Sequence, residues 1–169
     1  MVGVAHAQEA HGARNVAILD FDVHQGNGCA AACWSAPTRL YVSSHQRGIF
    51  PIGVSSFSPE SAGRAGEYGN VLSYPLNAGA GSTEFRQAWT ELLPLVSAFE
   101  PELIFLNCGF DAHAEEMVAS LALADDDFGW LTAEIAKLGL PVVSVLEGGY
   151  NLDVLKRGAK AHVGALIDA

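Results

Sequence analysis

Basic residues, cysteines and long apolar runs are all scarce in this chain of 169 residues. Nine lysines and arginines stand against nineteen aspartates and glutamates, and the net charge of −10 disfavours direct binding to a nucleic-acid backbone. Three cysteines are too few for a disulfide framework, which fits a reducing compartment. No apolar run approaches the roughly 20 residues that cross a bilayer, and no signal peptide is recognisable. We therefore expect a cytoplasmic protein without nucleic-acid or membrane partners.

The residues that are abundant predict one α/β domain over residues 1–169. Half of the chain is hydrophobic, and this length suffices for one compact core but not for two. Four runs are almost wholly apolar, as strands covered on both faces are, at 16–19, 40–42, 103–106 and 142–146. Helical patterns lie at 4–11, 84–98, 127–138 and 152–167. The alternation predicts a central parallel sheet with helices on both faces, and the stretch 43–80, rich in Gly, Ser and Pro, is predicted to be a long ordered loop.

Carboxylate and imidazole groups follow the predicted strands. Asp20, Asp22 and His24 alternate after the first run, so an extended chain projects them to one side, and Asp111 follows the third run. Ligands collect at the carboxyl ends of parallel strands. Two carboxylates and one histidine leave coordination positions open, and the mixed donors suit Zn²⁺, with Fe²⁺ or Mn²⁺ as alternatives. The same spacing also allows aspartates that cap turns and a histidine hydrogen-bonded in a loop.

Four segments carry a more specific resemblance, namely 20–28 (DFDVHQGNG), 40–45 (LYVSSH), 108–113 (CGFDAH) and 146–151 (LEGGYN). In order and separation they resemble motifs of the histone deacetylases, a superfamily that includes acetylpolyamine amidohydrolases. The chain is similar to the C-terminal half of a bacterial member. The resemblance implies an arginase-like three-layer α/β fold with a central, mostly parallel sheet, from which the N-terminal part is missing. It also implies hydrolysis of the acetyl amides of acetyl-lysine peptides or small acetylated amines such as acetylpolyamines.

The resemblance assigns metal-binding roles to particular residues. It implies three ligands for a catalytic zinc, which are Asp22, His24 and Asp111. Asp20, with the backbone around Ser43 and Ser44, would help to hold a structural K⁺ or Na⁺ ion. Such an ion and carboxylate behind the ligands would fix their orientation.

Substrate-binding roles are implied for four further residues. Tyr150 would donate a hydrogen bond to the substrate carbonyl, and that bond would strengthen as the oxygen becomes an oxyanion. Gly148 and Gly149 would let the backbone approach an extended acyl-lysine-like chain. Phe50 would form an aromatic wall of the substrate channel, although an aromatic residue in a loop is often only a packing anchor.

The family pattern is incomplete in this chain. The adjacent histidine pair that serves as acid and base in the family is absent, so we expect impaired hydrolysis. The alternative is a catalytically silent metal-binding half-domain or a truncated product that acts through self-association, as a homo-oligomer joined by the exposed side of the sheet, or through a partner. An arginase-like ureohydrolase is disfavoured. It would need two bridged manganese ions and a second aspartate-rich motif, whereas the segment 108–113 supplies a single carboxylate.

The sequence also predicts which of several other side chains are buried and which are exposed. His45, after the second run, is expected to make a structural hydrogen bond, with a position near the metal as the alternative, and His113 is expected to belong to loop structure. The helix surfaces are expected to carry His6, His11 and His162. The core is expected to hold Trp34, Trp89 and Trp130. The acidic run 125–127 is predicted to be a solvated helix start.

Overall fold

The computed structural model describes residues 1–51 and 63–169. Helices and strands alternate along these residues except where β2, β3 and β4 follow one another, and all four predicted strands are confirmed. The elements are α1 (Val2–His11), β1 (Val16–Asp20), α2 (Asn27–Cys33), β2 (Arg39–Gln46), β3 (Gly63–Ala65), β4 (Val71–Leu76), α3 (Ser82–Ala98), β5 (Leu103–Cys108), α4 (Asp125–Ala136), β6 (Val142–Leu146) and α5 (Leu152–Ile167). None of the described helices is long and apolar enough to cross a membrane.

The sheet is mostly parallel, as predicted. Its strand order across the described residues is β3-β4-β2-β1-β5-β6. The only antiparallel pairing in this order is that of the short β3 with β4. β1 lies between β2 and β5 and is buried along its whole length, which explains its continuous apolar run. The carboxyl ends of β1, β5 and β6 therefore lie side by side.

Helices cover both faces of the sheet, which makes three layers. On one face, Trp89 of α3 and Phe128 of α4 pack in a cluster with Leu19 and Leu106 of the sheet. On the other face, Val4 of α1 belongs to a cluster with strand residues of opposite parity, among them Ile18 and Tyr41, and with residues of α2. Because alternate residues of each buried strand enter opposite clusters, the sheet has no solvated face at its centre.

The prediction of a long loop at 43–80 was wrong in part. β2 continues to Gln46, and β4 lies beside it with Tyr41 opposite Val71 and Gln46 opposite Leu76. Asn77–Ala80 does lie outside the described strands and helices, whereas residues 52–62 lie outside the described residues. The glycines and prolines of this stretch favoured a loop and hid the pattern of β4. The residues of β4 are mostly buried, and its backbone pairs with that of β2.

The last strand, β6, is open on one side. Among the described residues it pairs only with β5, and four of its five residues are exposed. Val143 lies opposite Phe105 and shares its face with Val145; each valine is 41% exposed. An apolar edge with unpaired backbone groups is a surface on which another polypeptide can add a strand.

The predictions for His162 and Asp127 were wrong, and both errors involve the packing of α4; those for Trp34 and Trp130 were wrong in part. His162 is 4% exposed, because α5 lies over β6 and packs against α4, which turns this position inward. Asp127 is fully buried, where it accepts hydrogen bonds from Arg86 and Ser82 and from the backbone N–H of Ala124. Trp89 is in the core as predicted, whereas Trp34 and Trp130 are only partly buried.

Candidate metal centre

Polar groups from three neighbouring strands meet at one edge of the sheet. Asp20 at the end of β1 lies opposite Asn107 of β5, and Cys108 lies opposite Leu146 of β6. The residues that follow these strand ends are therefore brought together. They are Asp22 and His24 after β1, Asp111 after β5 and Gly148 after β6.

Asp22, His24 and Asp111 form a compact cluster. One candidate ligand atom from each residue lies within 4.8 Å of the other two. His24 Nδ1 lies 3.0 Å from Asp22 Oδ1 and 3.3 Å from Asp111 Oδ2. The backbone holds both carboxylates in place, since Gly148 N donates to Asp22 Oδ2 over 2.8 Å and Val23 N donates to Asp111 Oδ1 over 2.9 Å. This arrangement brings the three predicted ligands together.

The protonation states within the cluster depend on one another. Contacts with Asp111 and then Asp22 raise the pKa of His24 to about 10, against the opposing effect of burial. Burial raises the pKa of Asp111. Burial would also raise that of Asp22, but hydrogen bonds from His24 and Gly148 hold its pKa below the usual value. The cluster thus attracts positive charge, which a proton on His24 supplies in the absence of a metal.

The donor set fits a divalent metal ion. Asp111 Oδ2 is buried and makes no hydrogen bond of good geometry within the described residues, although His24 Nδ1 lies 3.3 Å from it; burying such a carboxylate oxygen is costly unless a cation lies against it. The backbone of Gly148 lies directly against the carboxylates, since a Cβ atom there would lie 2.7 Å from Asp22 Oδ2. Two carboxylates and one imidazole are a donor set suited to zinc with a coordination position left for water or substrate.

Asp20 lies behind the cluster and takes no part in it. Its carboxylate is buried and accepts hydrogen bonds from the Tyr41 hydroxyl over 2.9 Å, from Asn107 Nδ2 over 3.2 Å and from the backbone N–H of Asp22 over 3.2 Å. Burial, and then the charge of Asp22, raise the pKa of Asp20 to about 7. The site of a monovalent cation beside Asp20 stays a prediction.

The serine side chains predicted near that cation have other partners. Ser43 Oγ lies 3.0 Å from Nδ1 of His45, a structural contact of the kind expected for this histidine. Ser44 Oγ accepts a hydrogen bond from Trp89 Nε1 over 2.9 Å. Any contribution of these two residues to a cation site would therefore come from their backbone oxygens.

Two aromatic residues predicted to contact substrate are exposed at the cluster. Phe50 is 62% exposed, and its ring centroid lies 6.4 Å from that of His24. Tyr150 is 63% exposed, and burial together with the charges of Asp111 and Asp22 raises its pKa, so the phenol is a hydrogen-bond donor at neutral pH, as an ordinary tyrosine is. Between Gly148 and Tyr150, Gly149 has a φ of 139°, a backbone conformation that favours glycine.

Three residues that support the site were not predicted from the sequence. Tyr41 and Asn107 hold Asp20, and Glu116 accepts backbone hydrogen bonds from the turn that carries Tyr150. Asn107 offered a signal, because it is a polar residue inside an otherwise apolar strand. Glu116 offered none, since its contact joins residues 34 positions apart.

Comparison with known proteins identifies the family to which these motifs belong. Residues 1–166 match the histone deacetylase domain. The chain belongs to the histone deacetylase family. It is 37% identical over 156 residues to the histone deacetylase-like amidohydrolase of Pseudomonas aeruginosa, covering 89% of this chain and 40% of that protein. It is 36% identical over 160 residues to the chloroplastic histone deacetylase 10 of Oryza sativa subsp. japonica, covering 91% of this chain and 35% of that protein.

Solved structures of the family share the fold. An acetylpolyamine aminohydrolase from Burkholderia pseudomallei superposes with a TM-score of 0.83 at 30% identity, over 94% of this chain and 47% of the other. The HD domain of HDA15 gives a TM-score of 0.87 at 28% identity, over 99% and 50% of the two chains. The arginase/deacetylase-like α/β fold is thus confirmed. The chain spans half or less of the length of these deacetylase relatives.

Proposed function

We propose that this chain is a zinc-dependent amidohydrolase that removes acetyl groups from acetyl-lysine peptides or from small acetylated amines such as acetylpolyamines. The observation that carries the proposal is the cluster of Asp22, His24 and Asp111, in which two buried carboxylates face one imidazole and Asp111 Oδ2 makes no hydrogen bond of good geometry within the described residues. Membership in a family of amide hydrolases supports the same reaction class. The cytoplasmic location and bacterial origin expected from the sequence stay predictions.

The three clustered side chains would hold the ion, with Fe²⁺ or Mn²⁺ as alternatives to zinc. When bound, zinc supplies a water with a pKa near 7 and polarises the acetyl carbonyl. Gly148 N and Val23 N fix the two carboxylates, so the ligands are oriented before the ion arrives. Asp20 would support this arrangement from behind, together with a structural K⁺ or Na⁺ ion.

Tyr150 would be the catalytic residue that contacts the substrate carbonyl. Its phenol is exposed beside the cluster, where burial and the charges of Asp111 and Asp22 raise its pKa further above neutral. A donor aimed at the position where negative charge develops stabilises the transition state more than the ground state. Gly148 and Gly149 would leave room for the acyl chain, and the exposed ring of Phe50 would form one wall of its path.

The test compares two exposed tyrosines in the purified, zinc-loaded full chain. A fluorogenic acetyl-lysine peptide and an N-acetylated polyamine serve as alternative substrates. We expect Tyr150→Phe to lower kcat/KM by about 100- to 1,000-fold, the cost of losing one oxyanion donor. Tyr68→Phe is the matched control, because Tyr68 is 58% exposed and lies in the turn between β3 and β4. Hydrolysis that is indifferent to Tyr150→Phe would refute the proposed role and indicate a contaminating enzyme.

The second candidate function is that of a catalytically silent metal-binding half-domain. Two observations favour it: no two of the six histidines are adjacent, and no described strand pairs with the outer edge of β6. General acid–base assistance is worth roughly 100- to 10,000-fold, so its absence would leave only weak hydrolysis. Stoichiometric zinc without detectable turnover of either substrate, in a chain that self-associates, would support this candidate over the first.

A further inference from the structure

Glu116 joins the two segments that carry the metal cluster and Tyr150. Its side chain is 9% exposed, and Oε1 accepts hydrogen bonds from Tyr150 N over 2.8 Å and from Asn151 N over 2.9 Å. Asp111 and Glu116 both lie between β5 and α4, five residues apart, so one connection carries a candidate metal ligand and this carboxylate. Hydrogen bonds to an ionised carboxylate are stronger than those between neutral groups.

The Tyr150 turn is held on both sides. Before it, Gly148 N donates to Asp22 Oδ2 over 2.8 Å, and Gly148 O accepts from Phe110 N over 2.8 Å. After it, Asn151 caps α5 by accepting from Asp153 N over 3.1 Å. Between these attachments, Glu116 provides the contact made to the backbone of Tyr150 itself.

We infer that Glu116 is the positioning residue for Tyr150, setting where the phenol stands relative to the metal cluster; this inference rests on the proposed function. The phenol is exposed and has little packing to orient it, so its position depends on the backbone from which it projects. A misplacement of about 1 Å can cost a reaction on the order of 100-fold. Glu116 acts through the backbone of Tyr150, since its side chain accepts hydrogen bonds from Tyr150 N and Asn151 N.

Three substitutions separate this role from a general structural one. Glu116→Ala removes the acceptor, whereas Glu116→Gln keeps a carbonyl oxygen that can accept from the same two N–H groups. Glu115→Ala is the matched control, because the adjacent carboxylate is exposed and pairs with Arg157. The hydrogen bond from Asn151 Nδ2 goes to the backbone oxygen of Glu115, which that control retains.

The first measurement is amide hydrogen exchange of Tyr150 and Asn151 by NMR in the full chain, which requires no turnover. We expect Glu116→Ala to accelerate exchange at these two amides at least about 10-fold, with thermal unfolding and zinc content unchanged, and Glu116→Gln to restore most of the protection. Glu115→Ala should leave both amides protected. Equal exchange in the wild-type chain and Glu116→Ala would overturn the inference.

The second measurement is a double-mutant cycle on kcat with the acetyl-lysine substrate. Glu116→Ala should lower kcat about 10- to 100-fold with little change in KM, and should have little further effect in a Tyr150→Phe background. An equal loss in both backgrounds would show that Glu116 does not act through the phenol and would overturn the inference. If the wild-type chain hydrolyses neither substrate, the proposed function fails, and amide exchange alone decides whether Glu116 holds the turn.

Discussion

Gly148 and Asp111 are in such close contact that a Cβ atom on Gly148 would overlap with the Oδ2 atom of Asp111. This is the same oxygen that is buried and makes no hydrogen bond of good geometry within the described residues. The backbone of the segment after β6 therefore forms one wall of the candidate metal centre, and a residue that bears no side chain defines how close the wall can come.

Gly148→Ala should disrupt the metal centre. The added methyl group would also lie 2.7 Å from Asp22 Oδ2, so both carboxylates or the turn must shift. We expect zinc binding to weaken at least about 10-fold and the free energy of unfolding to fall by about 1–3 kcal/mol, as in other overpacked sites. Isothermal titration with zinc and urea unfolding measure the two effects. Gly28→Ala in α2 is the control, because a Cβ atom there meets no atom within 4 Å; similar losses in both variants would contradict the explanation.

Asp111→Asn should abolish stoichiometric zinc. The substitution keeps the size of the side chain but replaces the buried carboxylate that faces His24 by an uncharged amide. We expect roughly one zinc per chain in the wild-type protein by elemental analysis, and a small fraction of that in Asp111→Asn. Asp126→Asn removes one carboxylate from the first turn of α4 and should retain the metal. Zinc bound equally by all three proteins would show that the ion lies elsewhere.

His162→Gln should make stability less sensitive to acid. His162 Nδ1 lies 2.7 Å from Thr132 Oγ1 and Nε2 lies 2.9 Å from Ser144 Oγ, and burial lowers the pKa of His162. Because the pKa of His162 is lower in the folded state, the contribution of the neutral imidazole to stability is fully present above pH 6.5, its pKa in the unfolded chain. This contribution is lost as the pH falls through the lower pKa of the folded state.

Urea unfolding between pH 7.5 and pH 5 tests this prediction. The wild-type chain should lose stability more steeply than His162→Gln as the pH falls, because only the wild-type chain has to protonate a buried imidazole. Other groups, such as Asp20, titrate in both proteins, so their effects cancel in the comparison. His11→Gln, which changes an exposed histidine in α1, should follow the wild-type curve. Identical slopes for the wild-type chain and His162→Gln would contradict a buried neutral imidazole.

The sheet could be predicted because its central strands are recognisable in the sequence as apolar runs. Runs such as 16–19 are apolar at every position, as is typical of strands buried on both faces, and the polar residues that follow them lie at the carboxyl edge of the sheet. The grouping of Asp22 with His24 also follows from short-range spacing. Asp111 joins them through a strand order that sequence periodicity alone leaves undetermined, so that part depended on the resemblance to a family.

The misplaced residues are those whose surroundings depend on packing between helices. Position 162 falls in a helical pattern with polar residues on more than one side, and only the contact of α5 with α4 and β6 turns it inward. Asp127 looks like part of a solvated acidic run, yet it is the member that caps α4 and pairs with Arg86 of α3. Neither contact leaves a periodic trace in the sequence.

Val145→Lys should weaken self-association, which we propose to occur through the open edge of β6. The strand has no charged residue, and Val143 and Val145 expose apolar surface beside unpaired backbone groups, so a second copy can add its own β6 there. A lysine on such an edge opposes pairing by placing like charges together. Light scattering at micromolar concentration should give more than one chain per particle for the wild-type protein and a monomer for Val145→Lys. Val118→Lys, at a 43% exposed valine away from the sheet, should associate as the wild type does, whereas a monodisperse, cooperatively melting wild-type monomer would contradict the proposal.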